Sequence, residues 1–278
     1  MSFYKKIVFN KVKNKEITYT VSSDFIDKFC GDSLAVLNPN LVQLDIPGKY
    51  RSVWLSEELN VVVKHNQLKG ARRRFFAHFG WQNTLGKYSL SDEYENLKAL
   101  SHVEFVPKLY AFGKCNSFPL RKEVLVIEYY EGSLTADEMV LKYPERKYEI
   151  IEQVFELFLK AWNAGFAHMD PNPKNILFLN DKDLKFIDFE CCCLSIEDKE
   201  FYFGFSMGYF FHFWFHKYFR VSEYSNYVYS FLDENLKDID MMRFALFYEK
   251  FKSHSVSRKK RYKCFYSSSQ RVKLIGRD

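Results

Sequence analysis

Residues 166–190 read FAHMDPNPKNILFLNDKDLKFIDFE. The stretch contains His168-x-Asp170-x4-Asn175, an apolar run, a charged turn, a second apolar run and then Asp188, eighteen positions after Asp170. Two short apolar runs around a polar turn spell a β-hairpin. A plain hairpin does not need a histidine, a carboxylate and a carboxamide in fixed order before it and a second carboxylate behind it. His-x-Asp alone is common; the longer pattern with two strands at the right distance is specific.

Outward from this block the chain changes character. Upstream, residues 134–165 carry helical periodicity, with Phe155, Leu157, Phe158, Leu159 and Trp162 in the later part. EVLVIEYYEG (123–132) reads as a buried strand leading to a turn, and FVPKLYAFG (105–113) as a strand approach. Ser91-Asp92 precedes EYENLKAL, a good helix start. SVWL (52–55) and NVVVKH (60–65) form a hairpin whose second strand ends at Lys64. KEITYTV (15–21) alternates like a strand, and Ser22-Ser23-Asp24 can cap a short helix through Cys30. Downstream, the chain is helical and aromatic to about residue 252, and the rest is polar, basic and serine-rich.

An apolar content of 47% with 27% charged residues describes a folded globular chain. Its 278 residues suit one large domain or two lobes. The net charge of +6 biases it towards anionic partners without choosing among them. Of the six cysteines, three are consecutive (Cys191, Cys192, Cys193) and none forms a Cys-x-x-Cys pair, which favours a reducing compartment over a disulfide framework. The N-terminal MSFYKKIVFNKVKNKE has no apolar core segment and no small-residue cleavage site, so it does not read as a signal peptide.

The block at 166–190 resembles the catalytic loop and metal-binding aspartate of kinase-like phosphotransferases. That resemblance implies an α+β, two-lobed protein-kinase-like fold with a β-rich N-lobe and a mainly helical C-lobe. It implies ATP and Mg²⁺, with Asp170 as catalytic base and Asn175 and Asp188 as metal ligands. Lys64, at the end of a Val-Val-Val-Lys strand, would hold the α/β-phosphates and pair with a helix glutamate, Glu93 or Glu95. Glu93 is preferred because it is in phase with Leu97 and Leu100. Ile127 to Tyr130 looks like the hinge, with the backbone of Glu128 and Tyr130 meeting adenine. His168 would order the loop, and Pro171 and Pro173 would stiffen it. Departures from the protein-kinase pattern are plain. No GxGxxG stands near residues 46–52, so Gly48 would cradle the phosphates with help from Lys49, Arg51 or Ser52. Asp188 is followed by Phe189-Glu190, and no Ala-Pro-Glu triplet follows.

These departures resemble the small-molecule and glycan kinases of the clan: choline kinases, aminoglycoside phosphotransferases and, most of all, the bacterial lipopolysaccharide Kdo/heptose kinases. The last share the compact HxDxxxxN–IDF block and a basic, aromatic insertion between lysine strand and glutamate helix, here carrying Lys69, Arg72, Arg73, Arg74 and Lys87. The expected layout is an N-lobe at 1–127 with the insertion at 66–90, a hinge at 128–132, a helical C-lobe at 133–252 and a loose basic tail at 253–278. The expected partners are ATP and a lipopolysaccharide core or other glycan acceptor, without nucleic acid. Residues 201–219, with twelve aromatics and no charge before Lys217, read either as a buried helix or as one lying in a bilayer surface. Together with the basic segments 69–74 and 258–273 they suggest peripheral contact with an anionic inner membrane on its cytoplasmic face. A soluble kinase acting on an aminoglycoside, choline or a sugar, and a pseudokinase scaffold, are the rival readings.

Overall fold

A computed structural model describes residues 9–14, 17–28, 41–44, 51–67, 90–115 and 122–276. The chain divides into two compact units, Met1–Glu131 and Gly132–Asp278. Gly48 and the insertion residues 68–89 lie outside the described residues.

The first unit is an antiparallel sheet with one helix. Its strands are β1 (Phe9–Asn14), β2 (Ile17–Ser22), β3 (Leu41–Gln43), β4 (Arg51–Ser56), β5 (Val61–Gln67), β6 (Leu109–Cys115) and β7 (Lys122–Glu128), in spatial order β1-β2-β6-β7-β5-β4-β3. The helix α1 spans Leu90–Ala99 between β5 and β6. Strand β5 runs three residues beyond its expected end at Lys64, because β7 pairs with it as far as Gln67. The tight β4–β5 turn closes on Asn60, whose φ of 53° is left-handed, a conformation asparagine tolerates. Tyr19, Val21, Val61, Val63, Ala111, Val124 and Val126 pack into one core on a single face of this sheet.

The second unit is mainly helical. After β8 (Leu134–Thr135) come α2 (Ala136–Lys142) and α3 (Lys147–Asn163). The helical periodicity at 134–165 is thus carried by two helices. Pro144 separates them, since its ring cannot sit inside a helix and instead opens a 3₁₀ turn. Gly165, at φ 78°, stops α3: its N–H bonds the Trp162 carbonyl and Phe166 N–H reaches back to Ala161. The reversed chain then forms β9 (Ala167–His168), β10 (Ile176–Phe178), β11 (Leu184–Phe186) and β12 (Cys192–Cys193). Strands β10 and β11 form the hairpin read from the sequence, and β12 pairs with β9.

Helices α4 (Lys199–Phe213), α5 (Val221–Asn235), α6 (Met241–Ser253), α7 (Arg258–Tyr266) and α8 (Ser268–Ile275) complete the unit. Helix α4 is its core, with every residue from Phe201 to Phe211 buried. Gly204 and Gly208, one turn apart, let α6 approach closely: a Cβ on Gly208 would lie 2.7 Å from the Tyr248 carbonyl oxygen and 3.0 Å from Lys252 N. Of the two readings of 201–219, the structure has the buried helix and not the one lying in a bilayer surface. A helix apolar all round is wrapped by protein here, and the segment also breaks at Trp214 into a 3₁₀ turn, Phe215–Lys217. Among the described residues, no helix is long and apolar enough to cross a membrane.

The expected loose tail is likewise structured. Helix α7 starts under a Ser257 cap. Its Arg258 donates to Cys191 Sγ at 2.7 Å, and Tyr262 donates to the same sulfur. Tyr266 donates to the Cys192 carbonyl at 3.2 Å. From α8, Arg271 pairs with Asp198 at 2.7 Å. Arg258 and Arg271 of the basic segment 258–273 are thus engaged inside the unit, while Lys259, Lys260, Lys263 and Lys273 are exposed. None of the five described cysteines forms a disulfide, and all five are buried.

Candidate active site

In the first unit, β5 carries Lys64 between its partners Val53 on β4 and Leu125 on β7. Alternation along β5 buries Val61, Val63 and His65 and turns Lys64 to the other face. Its Nζ lies 2.6 Å from Glu93 Oε1, with the lysine side chain 12% and the glutamate 1% exposed. Glu95 is exposed. A second buried carboxylate fixes the helix that delivers Glu93. Glu123 on β7 accepts from Leu90 N at 2.9 Å, from Asn66 Nδ2 at 3.0 Å and from Ser91 Oγ at 3.1 Å. A carboxylate at a helix N-terminus satisfies its free N–H groups and the positive end of its dipole. Glu128, at the end of β7, uses its N–H on the Lys108 carbonyl and its side chain on the Tyr130 hydroxyl at 2.9 Å. What Glu128 can offer a base edge is its carbonyl.

In the second unit, His168 is buried between Phe186, stacked at 5.2 Å, and Phe189, edge-on at 5.2 Å. Its Nε2 lies 3.0 Å from the Ile187 carbonyl and 3.1 Å from that of Asp188, so this nitrogen carries the proton and donates. Nδ1 accepts from Asp170 N–H at 3.3 Å. Burial holds the ring below the ordinary histidine range, against the raising pull of Asp170 and Asp188. The histidine is a neutral brace between the loop and the second strand.

Asn175 Nδ2 donates to the Asp170 carbonyl at 3.0 Å, and Ile187 N–H donates to the Asn175 carbonyl at 2.9 Å. With Nδ2 committed, Oδ1 is the atom of Asn175 that can take a metal ion. Asp188 sits at φ 64°, a costly conformation for a non-glycine residue. Its carboxylate and that of Glu190 come within 4.8 Å of each other. A carboxamide oxygen and two carboxylates are the hard donors Mg²⁺ takes, so these residues fit it.

Asp170 itself is addressed through one oxygen. Tyr209 OH on α4 donates to Oδ1 at 2.5 Å, and Arg261 Nη1 on α7 lies 3.7 Å from the same atom. Nearby in the loop, Lys174 Nζ lies 4.6 Å from the Trp214 ring centre, and Lys217 Nζ lies 3.9 Å from it.

Residues 47–201 match the model of the lipopolysaccharide kinase (Kdo/WaaP) family. The chain belongs to that family. By family, and by its antiparallel sheet-rich and mainly helical units, it is of the α+β kinase-like class read from the sequence. The chain is similar to maternal embryonic leucine zipper kinase of Danio rerio, with 32% identity over 103 residues, 36% of the chain. It spans 14% of the length of that relative. A solved co-crystal structure of WbdD with the kinase inhibitor LY294002 aligns with 77% of the chain and 46% of that chain, at 17% identity and a TM-score of 0.46.

Several residues of the site escaped the sequence reading. Glu190 was visible only as a departure from Phe-Gly; its acidity beside Asp188 was the available signal. Glu123 sits in an apolar strand, where a buried carboxylate calls for partners. Tyr209 and Arg261 had no local signal.

Proposed function

We propose that the protein transfers the γ-phosphoryl group of ATP to a sugar hydroxyl, on a Kdo or heptose unit of lipopolysaccharide inner core. The observation that carries the reading is the Asp170 loop: a half-exposed carboxylate on a backbone fixed by His168 and Asn175. Asp170 would accept the acceptor hydroxyl proton as the new O–P bond forms and the bond from γ-phosphorus to the bridging oxygen breaks, releasing ADP. Lys64, held by Glu93, would bind the α/β-phosphate oxygens, and the backbone of Glu128 and Tyr130 the adenine edge. Asn175, Asp188 and Glu190 would hold Mg²⁺, which when bound neutralises phosphate charge.

An anionic glycan acceptor is supported by Lys174 and Lys217. Both are exposed, both lie on Trp214, and neither has an acidic partner among the described residues. Such cations suit a carboxylate or phosphate on the glycan, and they oppose cationic acceptors such as choline. Peripheral contact with an anionic membrane keeps the support of residues 69–74 and of exposed Lys259, Lys260, Lys263 and Lys273, but no longer that of α4. The test is transfer from labelled ATP with Mg²⁺ to purified lipopolysaccharide core, beside an aminoglycoside, choline and free sugars. Core phosphorylation that falls at least about 10²-fold in Asp170→Asn supports the reading. Transfer confined to a soluble small molecule overturns the acceptor, and an active Asp170→Asn overturns the base.

A further inference from the structure

Asp170 Oδ1 receives two groups from parts of the chain far from the catalytic loop. Tyr209 lies four residues from the end of α4 and is 3% exposed. Burial, and the Asp170 carboxylate beside it, keep its phenol well above the ordinary range despite the lowering effect of Arg261, so it stays a donor. Arg261, on α7, is 7% exposed. Its guanidinium carbon lies 4.3 Å from the Tyr209 ring centre, and Nε and Nη1 have no hydrogen-bond partner. A buried arginine without a full set of acceptors is costly unless its charge does something where it stands. Among the described residues, the anion that faces it is Asp170, at 3.7 Å. Among the described residues, no side-chain donor addresses Oδ2 of Asp170.

We propose that Tyr209 and Arg261 are positioning residues for the catalytic base: together they occupy Asp170 Oδ1, so that Oδ2 is the oxygen presented to the acceptor hydroxyl. The proposal rests on the reading of Asp170 as base. Tyr209 supplies direction, because a short O–H···O⁻ bond fixes the carboxylate rotamer. Arg261 supplies charge and orients the phenol by lying on its ring face. When Oδ2 takes the acceptor proton, Oδ1 becomes the carbonyl oxygen and still accepts from Tyr209, so the holder need not move during the step. A base held in this way acts through geometry, the condition for efficient general-base transfer.

The experiment is a mutant cycle on the full chain. Tyr209→Phe, Arg261→Met and Arg261→Lys are each made alone and in an Asp170→Asn background. Melting temperature and binding of a non-hydrolysable ATP analogue establish folding. In the otherwise native chain, Tyr209→Phe and Arg261→Met should each lower kcat by about 10-fold or more while the ATP KM stays within about 2-fold, and Arg261→Lys should restore part of the loss. In the Asp170→Asn background the same changes should alter residual kcat by less than about 3-fold, because the group they position is gone. Equal losses in both backgrounds would show a structural role and overturn the proposal, as would native kcat in both single variants. If Arg261→Met fails to fold, Tyr209→Phe in the two backgrounds decides alone. An Asp170→Asn enzyme with native turnover would instead sink the assignment of the base, a failure distinct from this one.

Discussion

Glu93→Gln is the sharpest probe of the first unit. It preserves the shape of the side chain and one acceptor oxygen but removes the charge facing Lys64 at 2.6 Å. Breaking a fully buried ion pair by removing one partner costs about 3–5 kcal/mol. Two features lower that figure here: Lys64 retains 12% exposure and can lean towards water, and the new carboxamide still accepts its hydrogen bond. The expected loss is about 2–3 kcal/mol. Glu95, two residues on, is exposed, so Glu95→Gln should stay within about 0.5 kcal/mol. In a chain of this size each kcal/mol moves the melting temperature by about 2–4 °C. Thermal melts should therefore show a drop of about 4–12 °C for Glu93→Gln and at most about 2 °C for Glu95→Gln. Phosphoryl transfer should fall in the same order, with the larger loss in the ATP KM. The reasoning is refuted if Glu95→Gln costs more than Glu93→Gln, or if both melt with the native protein.

Gly208→Ala should lower the melting temperature, because the new methyl meets backbone atoms of α6 at 2.7 and 3.0 Å, which cannot swing aside as a side chain can. Overpacking costs about 1–3 kcal/mol or more, and the better helix propensity of alanine returns only about 1 kcal/mol; a raised melting temperature would contradict the close α4–α6 packing. Asp188→Ala should abolish Mg²⁺-dependent nucleotide binding while leaving a folded chain, and Glu190→Gln should weaken it; calorimetric titration of Mg·ATP reads both, and native affinity in Asp188→Ala would remove that residue from the metal site. The Tyr224 and Tyr202 hydroxyls on the Met207 and Phe158 carbonyls hold α4 in place, at 2.8 and 2.7 Å. Replacing either with Phe should cost about 1–3 kcal/mol in denaturant unfolding, since a buried carbonyl loses its donor.

The parts legible in the sequence were those whose geometry is local. Asp170, Asn175 and Asp188 lie within one loop-and-hairpin unit, so their spacing is nearly their structure. Glu93 was chosen over Glu95 from the phase of Leu97 and Leu100, both of which are buried on the face that delivers Glu93 to Lys64. Periodicity failed where it carries no phase. Residues 201–211 are apolar on every side, and such a helix does not say whether protein or lipid surrounds it. The spacing of Gly204 and Gly208 was the unused clue, because small residues one turn apart are the mark of helices in close approach. The tail misled for the opposite reason. Its composition is basic and serine-rich, yet Arg258, Arg261 and Arg271 are all committed to partners within the unit, which composition cannot reveal.

The family match ends at residue 201, yet Asp170 is held by residues 209 and 261. The division has a physical sense. Phosphoryl transfer needs a base, metal ligands and a phosphate-binding lysine, and the residues proposed for these roles, Asp170, Asn175, Asp188 and Lys64, all lie within the matched span. How firmly the base is oriented is a separate matter, settled by whatever packs behind the loop. Helix α7 does so twice over. Arg261 addresses Asp170, while Arg258, Tyr262 and Tyr266 hold Cys191 and Cys192, and Cys192 on β12 pairs with His168 on β9. The helix therefore fixes both the carboxylate and the strand that carries its brace. A displacement of α7 would release the two together, so with Asp170 as the proposed base the C-terminal helices belong to the proposed site rather than being an appendage to it.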